Sequence, residues 1–245
     1  MLSYDYIYSN YIEKDRSAKS IALENNLGVK KVESLIRKYK LNIKGRYRRK
    51  YSIDKTKLDI NNPIICYYIG LIYTDGYIDY KNNRVSIRCR NKGVKHCLEV
   101  IKKELNFNGD IKVYKDVDYD LTIPSKELID FLVNTVGFTG TKQEYSKLNL
   151  NKHFNMFLRG ILDGDGNIHN GTFRITLKNE NQIKYLQSVI SNIVECNYKK
   201  VRGKYYEITL HKIDSKILLD FIYSTNDGLW FEDKHETYLG IDDIV

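Results

Sequence analysis

The sequence predicts an α+β protein: two tandem copies of one helix-and-strand unit behind a small all-α front end. Three observations predict it. The segment Tyr68–Gly76 recurs ninety positions later as Leu158–Gly166. Each copy is followed by polar–apolar alternation, the period of half-buried strands. Ahead of both copies, apolar residues recur at helical spacing and the positive charge is concentrated.

The front end comes first in the chain. The protein has 245 residues and a net charge of +9, and residues 1–60 hold 15 basic against 7 acidic residues, or +8 of that total. Such a bias predicts a polyanionic partner, nucleic acid before membrane. Tyr4–Glu13 reads as a short helix. Ser17–Asn25 and Val29–Lys40 read as two amphipathic helices joined at Leu27-Gly28, with Ile21, Ala22, Val29, Val32, Ile36 and Tyr39 on the apolar side. That spacing suits a helix-turn-helix, whose second helix offers Lys30, Lys31, Ser34, Arg37 and Lys38 outward. Lys44–Lys50 follows, with Arg46, Arg48 and Arg49 among its five basic residues of seven, and suits an arm along phosphates. Asn61-Asn62-Pro63 marks a boundary, giving domains at 1–60, 61–150 and 151–245.

The repeat then organises the rest. Gly70 matches Gly160, Asp75 matches Asp165 and Gly76 matches Gly166; Arg84–Arg88 aligns with Arg174–Lys178. In each half the motif helix leads to two strands, a helix (about 94–105 and 181–194), two more strands and a closing helix (about 125–136 and 214–223). The returning strands are expected at Ile111–Tyr114 with Asp120–Ile123, and at Val201–Lys204 with Tyr206–Leu210. Helices must cover the apolar sheet face, which leaves the other face open.

Within the motif, Gly70 and Thr74 lie four apart, as do Gly160 and Gly164, so each pair shares a helix face. Small residues there let two backbones approach. Gly76 and Gly166 are expected to end the helices as left-handed caps. Asp75 and Asp165 then meet at two helix carboxyl ends, opposed by the helix dipoles and by each other. A cation must neutralise them, and oxygen-only ligands point to Mg²⁺.

The two segments, Tyr68-Ile-Gly-Leu-Ile-Tyr-Thr-Asp-Gly76 and Leu158-Arg-Gly-Ile-Leu-Asp-Gly-Asp-Gly166, resemble the motif of the LAGLIDADG homing endonucleases in their single-chain, two-repeat form. The resemblance covers about residues 63–245. It implies a pseudo-two-fold tandem αββαββα repeat, the motif helices at the centre and two antiparallel sheets forming a saddle over double-stranded DNA. It implies Mg²⁺-dependent hydrolysis of both strands across a minor groove, with Mn²⁺ substituting. Motif position eight carries the catalytic, metal-holding carboxylate, here Asp75 and Asp165. Lysines after the last helix of each repeat correspond to Lys142 and Lys234, which would orient water or steady the charged transition state. Position six is Asp163 in the second repeat but Tyr73 in the first, and is taken as structural. Positions two and seven of the first repeat, Ile69 and Thr74, are bulkier than the family's small residues, which predicts a slightly wider helix interface there.

Base reading would fall to outward strand positions in the major groove: Arg84, Ser86, Arg88, Arg90, Lys112, Tyr114 and Thr122 in one half, and Arg174, Thr176, Lys178, Tyr205, Glu207, Thr209 and His211 in the other. Two further readings of the same scaffold stay open: a non-cleaving DNA-binding regulator and an RNA-binding intron maturase. Both repeats in one chain predict a monomer. Cys66, Cys89, Cys97 and Cys196 lack zinc-ligand spacing and read as buried thiols in an intracellular, reducing compartment. No secretion signal is expected, and the apolar run Ile64–Tyr73 is about half a membrane span.

Overall fold

The computed structural model describes residues 2–14, 16–41, 51–90, 93–115, 118–138, 148–150 and 152–241. Contacts divide the chain into two compact units, 1–50 and 51–245. In the smaller unit, α1 (Tyr4–Tyr8) runs into a π-helical turn (Ser9–Glu13), followed by α2 (Ala18–Glu24) and α3 (Val29–Lys38). Ser3 and Ser17 cap α1 and α2, accepting from the backbone N–H of Tyr6 and Ser20. Ile7, Tyr11, Ile21, Ala22, Val32 and Ile36 form a core of their own. Arg46, Arg48 and Arg49 lie outside the described residues.

The larger unit contains the repeat. Its first half is α4 (Pro63–Thr74), β1 (Gly76–Asp79), β2 (Arg84–Cys89), α5 (Val94–Glu104), β3 (Lys112–Tyr114), β4 (Asp118–Pro124) and α6 (Lys126–Phe131), which continues as a π-helical turn through Val136. The second half is α7 (Phe154–Asp165), β5 (Gly166–His169), β6 (Thr172–Leu177), α8 (Glu180–Ile190), β7 (Tyr198–Val201), β8 (Tyr205–His211) and α9 (Lys212–Ile222). Each half forms a four-stranded antiparallel sheet, ordered β1-β2-β4-β3 and β5-β6-β8-β7. The apolar faces, with Val85, Ile87, Leu121 and Ile123 in one sheet and Phe173, Ile175, Ile208 and Leu210 in the other, join a single core. Residues 51–60 belong here: Tyr51, Ile53, Leu58 and Ile60 pack on that core, and the Asp54 amide donates to the Leu105 carbonyl at 2.8 Å. No described helix is long and apolar enough to cross a membrane.

Four expectations need correction. The motif glycines are not left-handed: Gly166 has φ −78° and Gly76 is likewise not at positive φ. They are glycines because the chain doubles from helix into strand over its own last turn, where a Cβ would stand 2.5 Å from Ile72 Cα or 2.6 Å from Leu162 Cα. The halves are not offset by a constant ninety residues. Gly76 pairs with Ile87 but Gly166 with Ile175, because the first hairpin turns through Tyr80–Asn83 and the second through Asn170-Gly171 alone. Ser86, not Arg84, is therefore the structural counterpart of Arg174. The third correction is β7, which ends at Val201; Arg202 (φ 48°) and Gly203 (φ 72°) form the turn placed inside a strand by the sequence reading. Finally, a further helix, α10 (Glu232–Leu239), follows α9.

Candidate metal centre and nucleic-acid face

The centre begins with the crossing of α4 and α7. Asn62 caps α4, accepting from the Ile64 amide at 3.0 Å, and Pro63 occupies the first turn, where its missing N–H costs nothing. From Ile65 to Thr74 every residue of α4 is buried, as a helix at the middle of a core must be. The two helices touch backbone to backbone. A Cβ on Gly70 would stand 2.3 Å from the Phe157 carbonyl oxygen, and one on Gly160 would stand 2.3 Å from that of Tyr67. One turn on, Thr74 faces Gly164, and its hydroxyl fills the space a Gly164 side chain would need. The bulk at Thr74 is thus matched by absence of bulk opposite.

This crossing brings the two motif carboxylates to one end of the helix pair. Asp75, half-buried, is the C-cap of α4, and its Oδ2 lies 3.1 Å from where a Gly164 Cβ would be. Asp165, the next residue after Gly164, ends α7 and is exposed. Lys234, on α10, is set against the carboxyl end of α7. Its Nζ donates to the carbonyls of Leu162 (2.5 Å) and Asp163 (2.6 Å), where the α7 dipole is negative. Burial pulls the Lys234 ammonium below the ordinary lysine range; the carboxylates of Asp163, Asp233, Asp75 and Asp165 act in the opposite sense. Lys142 lies outside the described residues.

Asp163 is buried beneath this centre. It accepts from Tyr67 Oη (2.8 Å) and from the Phe231 amide (3.1 Å). Burial still pushes its carboxyl up to about 7, with Lys234 the main influence holding it down. On the other side, Cys89 Sγ lies 3.5 Å from Asp75 Oδ2. Burial holds that thiol far above the ordinary cysteine range, so it is a neutral donor to the carboxylate and no thiolate ligand. An open cavity lined by Asp75, Arg88, Cys89, Arg90, Asp163, Gly164, Phe231, Asp233 and Lys234 leads to this point.

Among the described residues, no group of three or more His, Cys, Asp or Glu side chains could hold a metal. Two aspartates at helix ends suit a hard cation that keeps most of its shell as water or substrate oxygens. They do not suit an ion needing a closed cage of side chains.

The uncovered sheet faces carry the expected polar residues. Arg84, Arg88, Arg90, Lys112, Tyr114, Arg174, Lys178 and His211 are exposed, and Ser86, Thr122, Thr176, Tyr205, Glu207 and Thr209 are half-buried. Most of the arginines are held by carboxylates. Arg88 and Arg90 both bind the buried Asp118 (2.8 and 3.1 Å), Arg84 binds Asp79 (2.9 Å), and Arg174 approaches Glu207 (3.5 Å). Glu207 also accepts from Thr209 and Thr176 and approaches Lys199 (3.6 Å). Sequence reading missed Cys89, Asp118 and Lys199. Gly203 was the available signal for Lys199, since it marks the turn and so shifts β7 back onto this lysine.

Against solved structures, the chain finds its fold. A variant of I-DmoI, in complex with its target DNA nicked in the coding strand and in the presence of Mn, is 22% identical over 69% of this chain and 99% of that one, with a TM-score of 0.50. The meganuclease I-SmaMI, bound to uncleavable DNA, is 16% identical over 74% of this chain and 88% of that one, with a TM-score of 0.53. Full-length DUF199/WhiA from Thermatoga maritima is 17% identical over 77% and 66%, with a TM-score of 0.50. The chain therefore has the fold of the LAGLIDADG homing endonucleases. No protein-family model and no curated protein matches it.

Proposed function

We propose that this protein is a site-specific double-strand DNA endonuclease of the homing type, hydrolysing phosphodiesters across a minor groove with divalent metal. The observation that carries the reading is the convergence of Asp75 and Asp165 at the touching ends of α4 and α7. Paired carboxylates opposed by two helix dipoles destabilise a fold unless something positive is brought to them.

Asp75 and Asp165 would hold Mg²⁺, with Mn²⁺ able to replace it; the bound ion supplies Lewis-acid activation of water and charge neutralisation at the phosphate. Everything else falls to the chain. Cys89 donates to Asp75 Oδ2. Lys234 neutralises the carbonyl end of α7 and limits the repulsion between the aspartates. Lys142 is proposed as its counterpart in the first repeat. The sheet faces would hold the duplex in its major grooves, with Arg88, Arg90, Arg174 and Lys178 exchanging carboxylate partners or solvent for bases and phosphates. The fold neighbours in complex with target DNA support a DNA partner. Free, buried cysteines support a reducing compartment, and two repeats in one chain support a monomer.

The test is digestion of target duplex with Mg²⁺, with Mn²⁺ and with EDTA, by the wild type and by Asp75→Asn and Asp165→Asn. Cleavage should require metal and be lost in both variants, while binding to the same duplex persists. Metal-independent nicking that survives both substitutions refutes the metal assignment. Binding with no cleavage under any metal favours the regulator, and preference for folded RNA the maturase.

A further inference from the structure

We infer that residues 2–41 are a second DNA-reading module, a helix-turn-helix that places α3 in the major groove of duplex flanking the cleavage site. The module lies outside the nuclease fold and has its own core, so it is not needed to complete the centre described above.

Four observations carry this. The first is how the helix is divided. Val32, Leu35 and Ile36 are buried, which turns Lys30, Lys31, Ser34, Arg37 and Lys38 outward along the ten-residue α3. Such a helix is about 10–12 Å across with its side chains, and a B-form major groove about 12 Å wide admits it. The deep, narrow major groove of A-form RNA does not. The second is the turn. Asn26 takes a left-handed conformation (φ 50°), while the Asn25 side chain donates to Tyr6 Oη (2.9 Å) and the Ile21 carbonyl (2.8 Å). The turn is thereby tied to α1 and α2, and Val32 and Ile36 seat α3 in the core that those helices share.

The third observation sets this surface apart from the sheets. Sheet arginines are mostly paired with carboxylates, whereas among the described residues none of Lys30, Lys31, Arg37 and Lys38 has an ion-pair partner. Unpaired cations add their full counter-ion release when they meet phosphates. The fourth is that the α3 amino terminus adds to this charge: its cap is Gly28, which brings no side-chain acceptor, and its first turn holds no acidic residue. The chain then continues into the basic segment Lys44–Lys50. A module tethered in this way raises affinity for a composite site by about 10²- to 10⁴-fold without any new contact in the nuclease unit.

The test is selection of duplexes from a library with randomised flanks by the full-length chain, followed by footprinting and salt titration on the winners. The wild type should enrich and protect a flank beyond the central site. Lys30→Glu/Lys31→Glu/Arg37→Glu should lose protection of that flank only, bind about a hundredfold more weakly, and show a log–log salt slope shallower by about 3. The neutral set Lys30→Gln/Lys31→Gln/Arg37→Gln should lose the same flank, which separates charge loss from misfolding. An unchanged flank and slope in both sets overturn the inference, as does tighter binding of RNA through the same residues. Loss of the flank with the central site intact leaves the nuclease reading untouched. A selected flank with no selected centre keeps the module and sinks the nuclease.

Discussion

The two halves of the larger unit repeat one topology but stabilise their motif helices differently. On α4, position six is Tyr73, which stacks edge-on against Phe157 of α7 at 5.7 Å and reaches the Gln182 carbonyl. On α7 the same position is Asp163, bonded to Tyr67 of α4. One pair, Tyr73–Phe157, is oily; its pseudo-symmetric mate, Asp163–Tyr67, is polar. The position before the motif glycine differs as sharply. Ile69 is an ordinary core residue, but its counterpart Arg159 is fully buried. Its guanidinium donates to the carbonyls of Ile222, Thr225 and Leu229, pairs with Asp227 at 2.6 Å, and lies over the Tyr223 and Trp230 rings. The first half is thus held by hydrophobic burial, while the second also spends ionic groups to fix the segment that leads to Phe231 and Lys234. Symmetry fixes where the two carboxylates stand, and the asymmetric clamp on Arg159 fixes the segment that leads to Lys234 in the second half.

The largest expected effect tests that division. Arg159→Met leaves the buried carbonyls of Ile222 and Leu229 without their donor, and should destabilise the larger unit by about 3–5 kcal/mol. Ile69→Met at the matching position should cost less than about 1.5 kcal/mol. Chemical denaturation of the two variants reads the contrast, and equal losses would mean that the clamp is ornamental. Next comes the crossing itself, where the halves are alike. Gly70→Ala and Gly160→Ala each drive a methyl to 2.3 Å from a backbone carbonyl oxygen that has little room to retreat. Each should cost about 3 kcal/mol, visible as a lowered thermal midpoint. A large difference between the two would show that the crossing is not as symmetric as its geometry.

How much of this was legible beforehand follows the same line. The motif helices, the strand alternation and the meeting of Asp75 with Asp165 could be read because each repeats, and a repeat converts weak local signals into one spatial statement. The even slip of two residues in the second hairpin could not be read from matching letters, since Arg84 aligns naturally with Arg174. It did no harm to the assignment of faces, because strand side chains alternate with period two and an even shift keeps them on the same side. What repeated nowhere was lost. Cys89 has Leu177 as its structural counterpart and met Asp75 only through β2 register. The helix α10, with its run of charged residues, shows no apolar period. Its place is fixed by contacts across the fold, with Tyr238 stacked on Tyr223 of the preceding segment at 4.7 Å and Lys234 bonded to Leu162, 72 residues earlier. The family resemblance points to Lys234, but its bonds to the end of α7 depend on that helix.

The polar side of the comparison also predicts a pH dependence. Asp163 is raised by burial to about 7 in the folded chain, against about 3.9 for a free aspartate. The folded state therefore holds this proton more tightly than the unfolded state. Its contribution is most favourable below about pH 4 and is lost as pH rises to about 7. In metal-free buffer with EDTA, the wild type should lose on the order of a few kcal/mol across that window relative to Asp163→Asn, whose profile should be flatter. Matching profiles would place the polar pair outside the stability of the fold. Tyr73, its counterpart, carries no such titration in this range, so Tyr73→Phe should leave the wild-type slope intact.

The smallest effect sharpens the comparison at the hairpins beside the sheet faces. The second turn is tight, with Asn170 at φ 47° and Gly171 at φ 66°, the double left-handed pattern of a two-residue hairpin. The first turn is longer and is tied by side chains, Asp79 accepting from the Asn82 amide (3.0 Å), from Asn82 Nδ2 (2.8 Å) and from Arg84. Gly171→Ala meets backbone strain with no partner to relax, and should cost about 1–2 kcal/mol. Asn82→Ala removes donors from a carboxylate that keeps Arg84, and should cost about 1 kcal/mol or less. Urea midpoints of the two variants give the order. If Asn82→Ala proved the costlier, the first hairpin would be held mainly by its side chains and the second turn would tolerate strain that its backbone angles forbid.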